Sequence, residues 1–300
     1  MVRDRARHSC YAASPRTRRL TQARRRRESF FCPGRVVVHL PDIVTGLLTD
    51  LGELLFPRTC LTCDALLAGR AEGALCTQCL SRLESLPHPR CERCGHPQLR
   101  DRCSWCGNLD EVVTAARSWC WAGDPVAARA IHALKYHDWP VIAGHFADRM
   151  ARLRFPPEVE AQGRILVPVP LSARRLRERG YNQSLVLAQA LAARRHAIIR
   201  HPLVRTRETP TQTRLTPEQR LANVADAFRV DATQLSGCGD RVVVLVDDVI
   251  TTGATLNACA RALSQAGVRQ ICYLTFGRAR DPRDAPPSTG LSSHGNQGRH

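Results

Sequence analysis

The first regular pattern along the chain is helical. Between residues 43 and 55, apolar side chains at 43, 47, 51 and 54, flanked by 44, 48 and 55, form one stripe, and Pro57 ends it. The opposite face carries Asp50 and Glu53, so the stripe is expected to dock on the protein's own core or on a partner subunit rather than on a membrane. From about residue 115 to 278, helical and extended signals alternate. Helices are predicted over 127–136, 141–153, 182–195 and 254–266, and strands over 164–169, 242–246 and 270–276. The strands are continuous apolar runs rather than alternating ones. That is the mark of a parallel sheet covered by helices on both faces, an α/β fold.

Composition sets the bounds around this pattern. Three hundred residues with 43% apolar content suffice for about two domains with an ordinary core. No apolar run approaches the roughly 18 residues of a membrane span, and no secretory pattern opens the chain. A cytoplasmic protein without membrane insertion is expected. The net charge of +17 is uneven, because residues 1–35 hold 11 arginines against Asp4 and Glu28. This stretch has almost no apolar periodicity and is read as disordered. Two other readings stay open: an arm that binds nucleic acid, and a translation start further along, near Val36 to Val38. The tail, rich in Pro, Ser, Gly and His, reads as disordered too. The expected organisation is a basic extension over 1–39, the amphipathic helix with a cysteine-rich segment over 40–110, the α/β domain over 111–280, and the tail over 281–300.

Four Cys-x2-Cys pairs fall between Cys60 and Cys106. Cys60/Cys63 and Cys76/Cys79 are 12 residues apart, and Cys91/Cys94 and Cys103/Cys106 are 8 apart. Each set of two pairs supplies four thiolates for one tetrahedral Zn2+, so two consecutive ribbons with two structural zinc ions are expected, interleaved pairing being the alternative. Gly95 and Gly107 directly follow the second cysteine of their knuckles, where a positive φ is expected. So small a segment depends on its metal to fold. Eight thiolates and two zinc ions also reduce the charge of the body beyond residue 35 to about +4.

Of the 44 basic residues only Lys135 is lysine. A chain that uses Arg for generic positive charge keeps Lys where a compact ammonium is required, which makes Lys135 a candidate site residue, with chance survival on a helix surface as the alternative.

The densest chemistry follows the strand predicted over 242–246. Asp247 and Asp248 stand at its carboxyl end, where open α/β sheets bind ligands. Thr251, Thr252 and Gly253 then lead into a helix. Loop amides, a helix N-terminus and threonine hydroxyls form an anion site, and adjacent carboxylates suit a cis-diol or a bound Mg2+. The plain alternative is a strand-loop-helix crossover with a capping Asp. A Walker loop is disfavoured, because no Gly-Lys-Ser/Thr ending is present.

The run from Val244 to Leu256, which includes Ala254 and Thr255, resembles the phosphoribosyl pyrophosphate (PRPP) loop of type I phosphoribosyltransferases. With the cysteine pairs in front, residues 43–280 resemble the ComF family (ComFC/GntX type), in which a zinc-ribbon segment precedes a phosphoribosyltransferase-like domain and which is linked to DNA uptake. Further matching pieces are Leu134-Lys135-Tyr136, Val167-Pro168-Val169-Pro170, Arg179-Gly180-Tyr181-Asn182-Gln183, Arg205 to Gln212, and Arg220 through Asn223 to Phe228. The resemblance implies a type I phosphoribosyltransferase fold and transfer of ribose 5-phosphate from PRPP, with magnesium, to an unidentified acceptor, a nitrogenous base by analogy. It implies Asp247, Asp248 and Arg205 as catalytic residues. It implies PRPP contacts from Asp247, Asp248, Thr251 to Thr255, Lys135, Arg179, Asn182 and Gln183. In the loop after the earlier strand, Pro168 and Pro170 have no amide hydrogen, which leaves Val169, Leu171 and Ser172 as pyrophosphate donors. Arg174, Arg175, Arg177 and Arg179 suit a pyrophosphate or form a solvated helix face. Residues 205–214 read as a mobile lid or a connecting loop. The zinc ribbons are expected to form the acceptor hood, with Tyr181 or Trp105 either stacking on a base or packing. A second class of function stays open: an accessory protein that binds single-stranded DNA and competence proteins, with a PRPP-sensing or vestigial site.

Overall fold

The computed structural model describes residues 57–67, 74–98, 103–136, 140–206, 227–235 and 241–281. The helix expected over 43–55, the basic extension, nearly all of the tail and residues 207–214 of the expected lid lie outside these. All described residues belong to one compact unit.

Two cysteine-rich knuckle pairs come first. The first holds the short helix α1 (Thr77–Arg82), which Cys76 caps by accepting the Cys79 amide hydrogen on its sulfur at 3.4 Å. Then follow β1 (Val113–Trp121), α2 (Pro125–Tyr136), α3 (Pro140–Met150), α4 (Pro157–Glu160), β2 (Arg164–Pro168), α5 (Ala173–Arg179), α6 (Gln183–Arg195), β3 (Ile198–Ile199), β4 (Leu203–Arg205), β5 (Phe228–Val230), β6 (Val242–Ile250), α7 (Ala254–Gln265) and β7 (Ile271–Arg278).

Five strands make a parallel sheet in the order β1-β7-β6-β2-β3, and β4 with β5 forms a separate antiparallel ribbon. The central strand β6 is apolar on both sides because both are covered. Val242, Val244 and Val246 pack with Leu187 and Leu191 of α6 and Phe146 of α3, while Val243 and Leu245 pack with Leu256 and Leu263 of α7. Each such fully buried side chain contributes about 1.5–3 kcal/mol. The first ribbon joins the α6 side through Cys60 and Leu75, and the second joins the α7 side through Cys94 and Trp105.

Among the differences from the sequence pattern, two concern the central strand and the sheet edge. The central strand does not end at Val246 but runs to Ile250, because β7 continues alongside it and pairs Asp247 with Thr275 and Ile250 with Arg278. Both aspartates are therefore part of the strand. The edge strand β1 was not predicted, since its mixed sequence with Arg117 and Ser118 alternates between buried and half-buried instead of forming an apolar run.

Candidate functional site

The chain leaves β2 toward β3 and leaves β6 toward β7, in opposite directions along the sheet. The connections that follow β2 and β6 therefore diverge, and at that switch point lies a cleft of about 200 Å³. Its lining brings together Lys135 from α2, Val169 and Leu171 after β2, Arg175 and Arg179 from α5, Gln183 and Ser184 from α6, Arg205 from β4, and residues 247–256.

The two carboxylates meet different surroundings. Asp248 is buried, and its Oδ2 lies 2.5 Å from Lys135 Nζ. Burial works to raise this carboxyl, but the ammonium prevails and holds it below the usual carboxylate range. Among the described residues no ion pair is made by Asp247. Its Oδ1 accepts hydrogen bonds from Ser184 Oγ at 2.7 Å and from the Asp248 amide at 2.9 Å. Burial first, and then the neighbouring Asp248 charge, push its carboxyl well above the ordinary range. The pair is thus asymmetric: Asp248 is ion-paired with Lys135, and Asp247 is held by hydrogen bonds from Ser184 and the Asp248 amide.

Beyond the pair, Gly253 adopts φ +80° as the N-cap of α7, a left-handed conformation that only glycine takes without cost. It turns the loop so that the first amides of α7 face the cleft end of the sheet, an arrangement that suits a phosphate. Opposite, the Val169 amide is tied to Val246 O at 3.0 Å, and Asn182 Nδ2 donates to Val169 O at 3.0 Å.

Several sequence-predicted residues do other work. Asn182 caps α6 by accepting from the Ser184 amide on its side chain, and Ser172 caps α5 by accepting from the Arg175 amide on its hydroxyl; neither is among the residues that line the cleft. The arginine cluster divides: Arg175 and Arg179 line the cleft, while Arg174 lies on the outer face 3.7 Å from Glu178, and Arg177 is exposed. The Tyr181 hydroxyl donates to Leu134 O and so packs α6 against the end of α2. Trp105 is 2% exposed beneath the Arg278 guanidinium, 4.2 Å from its ring centre, and is unable to stack on a base. No described residue of either ribbon lines the cleft, so the expected hood is not met there; the ribbons are packed against the two faces of the sheet instead. Ser184 was missed by sequence reasoning. A serine at a helix start is usually read as a cap, and only the fold brings it to Asp247.

The cysteines form two clusters, Cys60/Cys63/Cys76/Cys79 and Cys91/Cys94/Cys103/Cys106, each with its sulfurs within 4.8 Å of one another. Close approaches are 3.7 Å for Cys63–Cys76, 3.4 Å for Cys91–Cys106 and 3.3 Å for Cys94–Cys103. Four thiolates so gathered fit a tetrahedral Zn2+. The pairing is consecutive, not interleaved. Gly95 has the expected positive φ of +67°, whereas Gly107 lies within the 3-10 turn Cys106–Asn108.

Comparison with known proteins agrees with these two parts. Residues 51–110 match a double zinc ribbon domain and residues 181–293 a phosphoribosyl transferase domain. A competence protein F of Haemophilus influenzae is 30% identical over 70% of this chain and 92% of its own length. The DNA utilization protein YhgH of Escherichia coli K12 is 30% identical over 73% and 96%. Competence protein ComFC of Bacillus subtilis is 26% identical over 69% and 89%. A double zinc ribbon packed on a parallel sheet with a phosphoribosyltransferase-type loop, shared over nearly the full length of such relatives, means that the chain belongs to the ComF family.

Proposed function

We propose that this protein binds PRPP with magnesium at the β2/β6 cleft and transfers its ribose 5-phosphate to a nitrogenous acceptor, releasing pyrophosphate, in the cytoplasm and in the service of DNA uptake or utilisation. The observation that carries the reading is the asymmetric acid pair facing an amide-rich loop in one cleft. The carboxylates of Asp247 and Asp248 accept from ribose hydroxyls or hold a divalent cation, and residues 251–255 donate to the 5′-phosphate. Arg175 and Arg179 stand where a pyrophosphate needs countercharge. In the step, the bond from C1 of the ribose to the pyrophosphate oxygen breaks with its electron pair leaving on pyrophosphate, the lone pair of the acceptor nitrogen forms a bond to C1, and the proton that nitrogen carried passes to pyrophosphate or solvent. The chain's part is to orient the sugar, neutralise the leaving group and exclude water. Calorimetric titration of PRPP with Mg2+ into the zinc-loaded protein tests the reading. Micromolar binding that disappears in Asp247→Asn/Asp248→Asn is expected, followed by PRPP-dependent pyrophosphate release when the right base is supplied. Absence of binding by the wild type sinks it.

A second reading has its own support. One cavity is rimmed by Arg90, Arg117, Arg152 and Arg154, and Arg164, Arg194 and Arg195 of the adjoining cavity are ion-paired with Glu160 or Asp148, which leaves the shared rim with more positive than negative charge. Such a basic face suits the backbone of single-stranded DNA, in keeping with a relative named for DNA utilization. Steeply salt-dependent single-strand binding that Asp247→Asn leaves unchanged supports it; its absence at low salt removes it.

A further inference from the structure

Asn257 stands on α7, four residues after Gly253, and is 5% exposed. Its Nδ2 donates to Asn108 O at 2.8 Å, and its Oδ1 accepts from Tyr273 Oη at 2.9 Å and from the Asp110 amide at 3.3 Å. A flipped side chain would set NH2 against an amide hydrogen and oxygen against a carbonyl, so the partners fix one orientation. The Asn257 amide also donates to Gly253 O at 2.8 Å. Behind Gly253, the Asn108 carbonyl oxygen lies 3.2 Å from where a Cβ would stand, with the Asn257 amide group at 3.6–3.7 Å. The phosphate loop is thus backed by Asn108, and Asn257 holds Asn108 in place.

Asn108 and Asp110 are the chain leaving the second cysteine cluster. The Asn108 amide donates to Trp105 O and the Leu109 amide to Cys106 O, in the turn that begins at the last cysteine. Arg261, one turn beyond Asn257, adds a second tie to Asp110 at 2.6 Å. The first ribbon is strapped elsewhere: Arg129 of α2 donates to Thr62 O, and Arg149 of α3 to Leu80 O at 2.7 Å.

We propose that Asn257 is a positioning residue of the phosphate loop, coupling the folded state of the second cysteine ribbon to the conformation of Gly253 and so to anion binding by residues 251–255. The inference rests on the phosphate-site reading above only for the identity of the anion. Coupling between two sites is reciprocal, so a ligand on the loop must in turn stabilise the second ribbon.

Hydrogen–deuterium exchange on the full, zinc-loaded chain tests it without ligand. In Asn257→Ala, loss of the buried hydrogen bonds is expected to speed exchange at amides 252–257 about ten-fold, with α2 unchanged and both zinc ions retained. Cys106→Ser is expected to reproduce the effect on the loop, and Cys63→Ser is not. A second arm follows zinc transfer to a chromogenic chelator. PRPP with Mg2+ is expected to slow the release of one of two zinc equivalents in the wild type, and of neither in Asn257→Ala. Unchanged exchange at 252–257 in Asn257→Ala overturns the proposal, as does an increase spread evenly over the sheet, which marks a merely structural role. Should Cys106→Ser fail to fold, Arg261→Gln serves as the second variant, with a smaller increase at the same amides expected and none overturning the coupling. If calorimetry shows no PRPP binding by the wild type while the loop responds as expected, the coupling stands and the PRPP reading falls.

Discussion

The chain's single lysine, Lys135 at the end of α2, places Nζ 2.5 Å from Asp248 Oδ2 in the lining of the cleft. Where Arg serves every other positive charge, a compact ammonium is retained at the one position that must fit against a buried carboxylate in a confined site. The pair joins a helix that the first ribbon braces to the central strand of the sheet.

Removing the ammonium leaves an uncompensated charge in the interior. Lys135→Met is expected to lower stability by about 3 kcal/mol, measured by denaturant unfolding at pH 7. The sign with pH follows from the depressed Asp248 carboxyl. Its contribution is present above the unfolded carboxylate value and is lost as pH falls through the lower folded value. Wild type and variant should therefore converge in stability on acidification; a constant gap at all pH values would contradict the pair's role.

Asp247 behaves in the opposite sense. Its folded value is raised, so ionisation costs stability as pH rises from the ordinary carboxylate range through the folded value. Asp247→Asn is expected to melt higher than the wild type at pH 8 and no higher at pH 4. PRPP·Mg2+ affinity in the wild type is expected to weaken on acidification through the same range and to be absent in the variant. Thermal melts and calorimetry across pH check both.

The division of the α5 arginines is equally testable. Arg175→Gln and Arg179→Gln should each weaken PRPP or pyrophosphate binding by about 1.5–3 kcal/mol, the worth of a hydrogen bond to a charged group. Arg174→Gln and Arg177→Gln should leave affinity unchanged. Equal losses across all four would mean a diffuse electrostatic effect instead.

Arg278 is fully buried at the end of β7, with Nη2 donating to Cys94 O at 2.5 Å and Nη1 3.4 Å from His96 Nδ1. Its hydrogen-bond and ring partners among the described residues are a carbonyl, a hydroxyl, an imidazole and an indole, and it makes no ion pair with a carboxylate there. Four thiolates on one Zn2+ carry a net charge of −2, which supplies the missing countercharge. Elemental analysis is expected to find two zinc ions per chain, and Arg278→Met is expected to release the second ribbon's zinc faster while leaving the first ribbon's rate unchanged.

Much of the chemistry was legible along the chain because it is local. Four cysteine pairs at two-residue spacing, and acids, threonines and a glycine within one strand-loop-helix turn, need only neighbouring backbone to come together. The apolar run at Val242 to Val246 announced a doubly covered strand for the same reason. What local pattern left open was context. Asn182 and Ser172 have the composition of ligand-binding residues yet serve as helix caps, a role open to any short polar side chain at a helix start. Trp105 has the composition of a stacking residue yet is closed off by Arg278.

Paired cysteine knuckles and an acid- and threonine-rich loop after an apolar parallel strand can be read from the chain alone, since spacing and periodicity encode both. The fold alone brings Lys135 to Asp248 and Ser184 to Asp247, turns Arg175 and Arg179 to the cleft while Arg174 and Arg177 face away, and lets Asn257 tie the second ribbon to Gly253. Those pairings span tens to about 150 residues. They depend on strand register and helix rotation, which the packing of the whole core sets and no short motif contains.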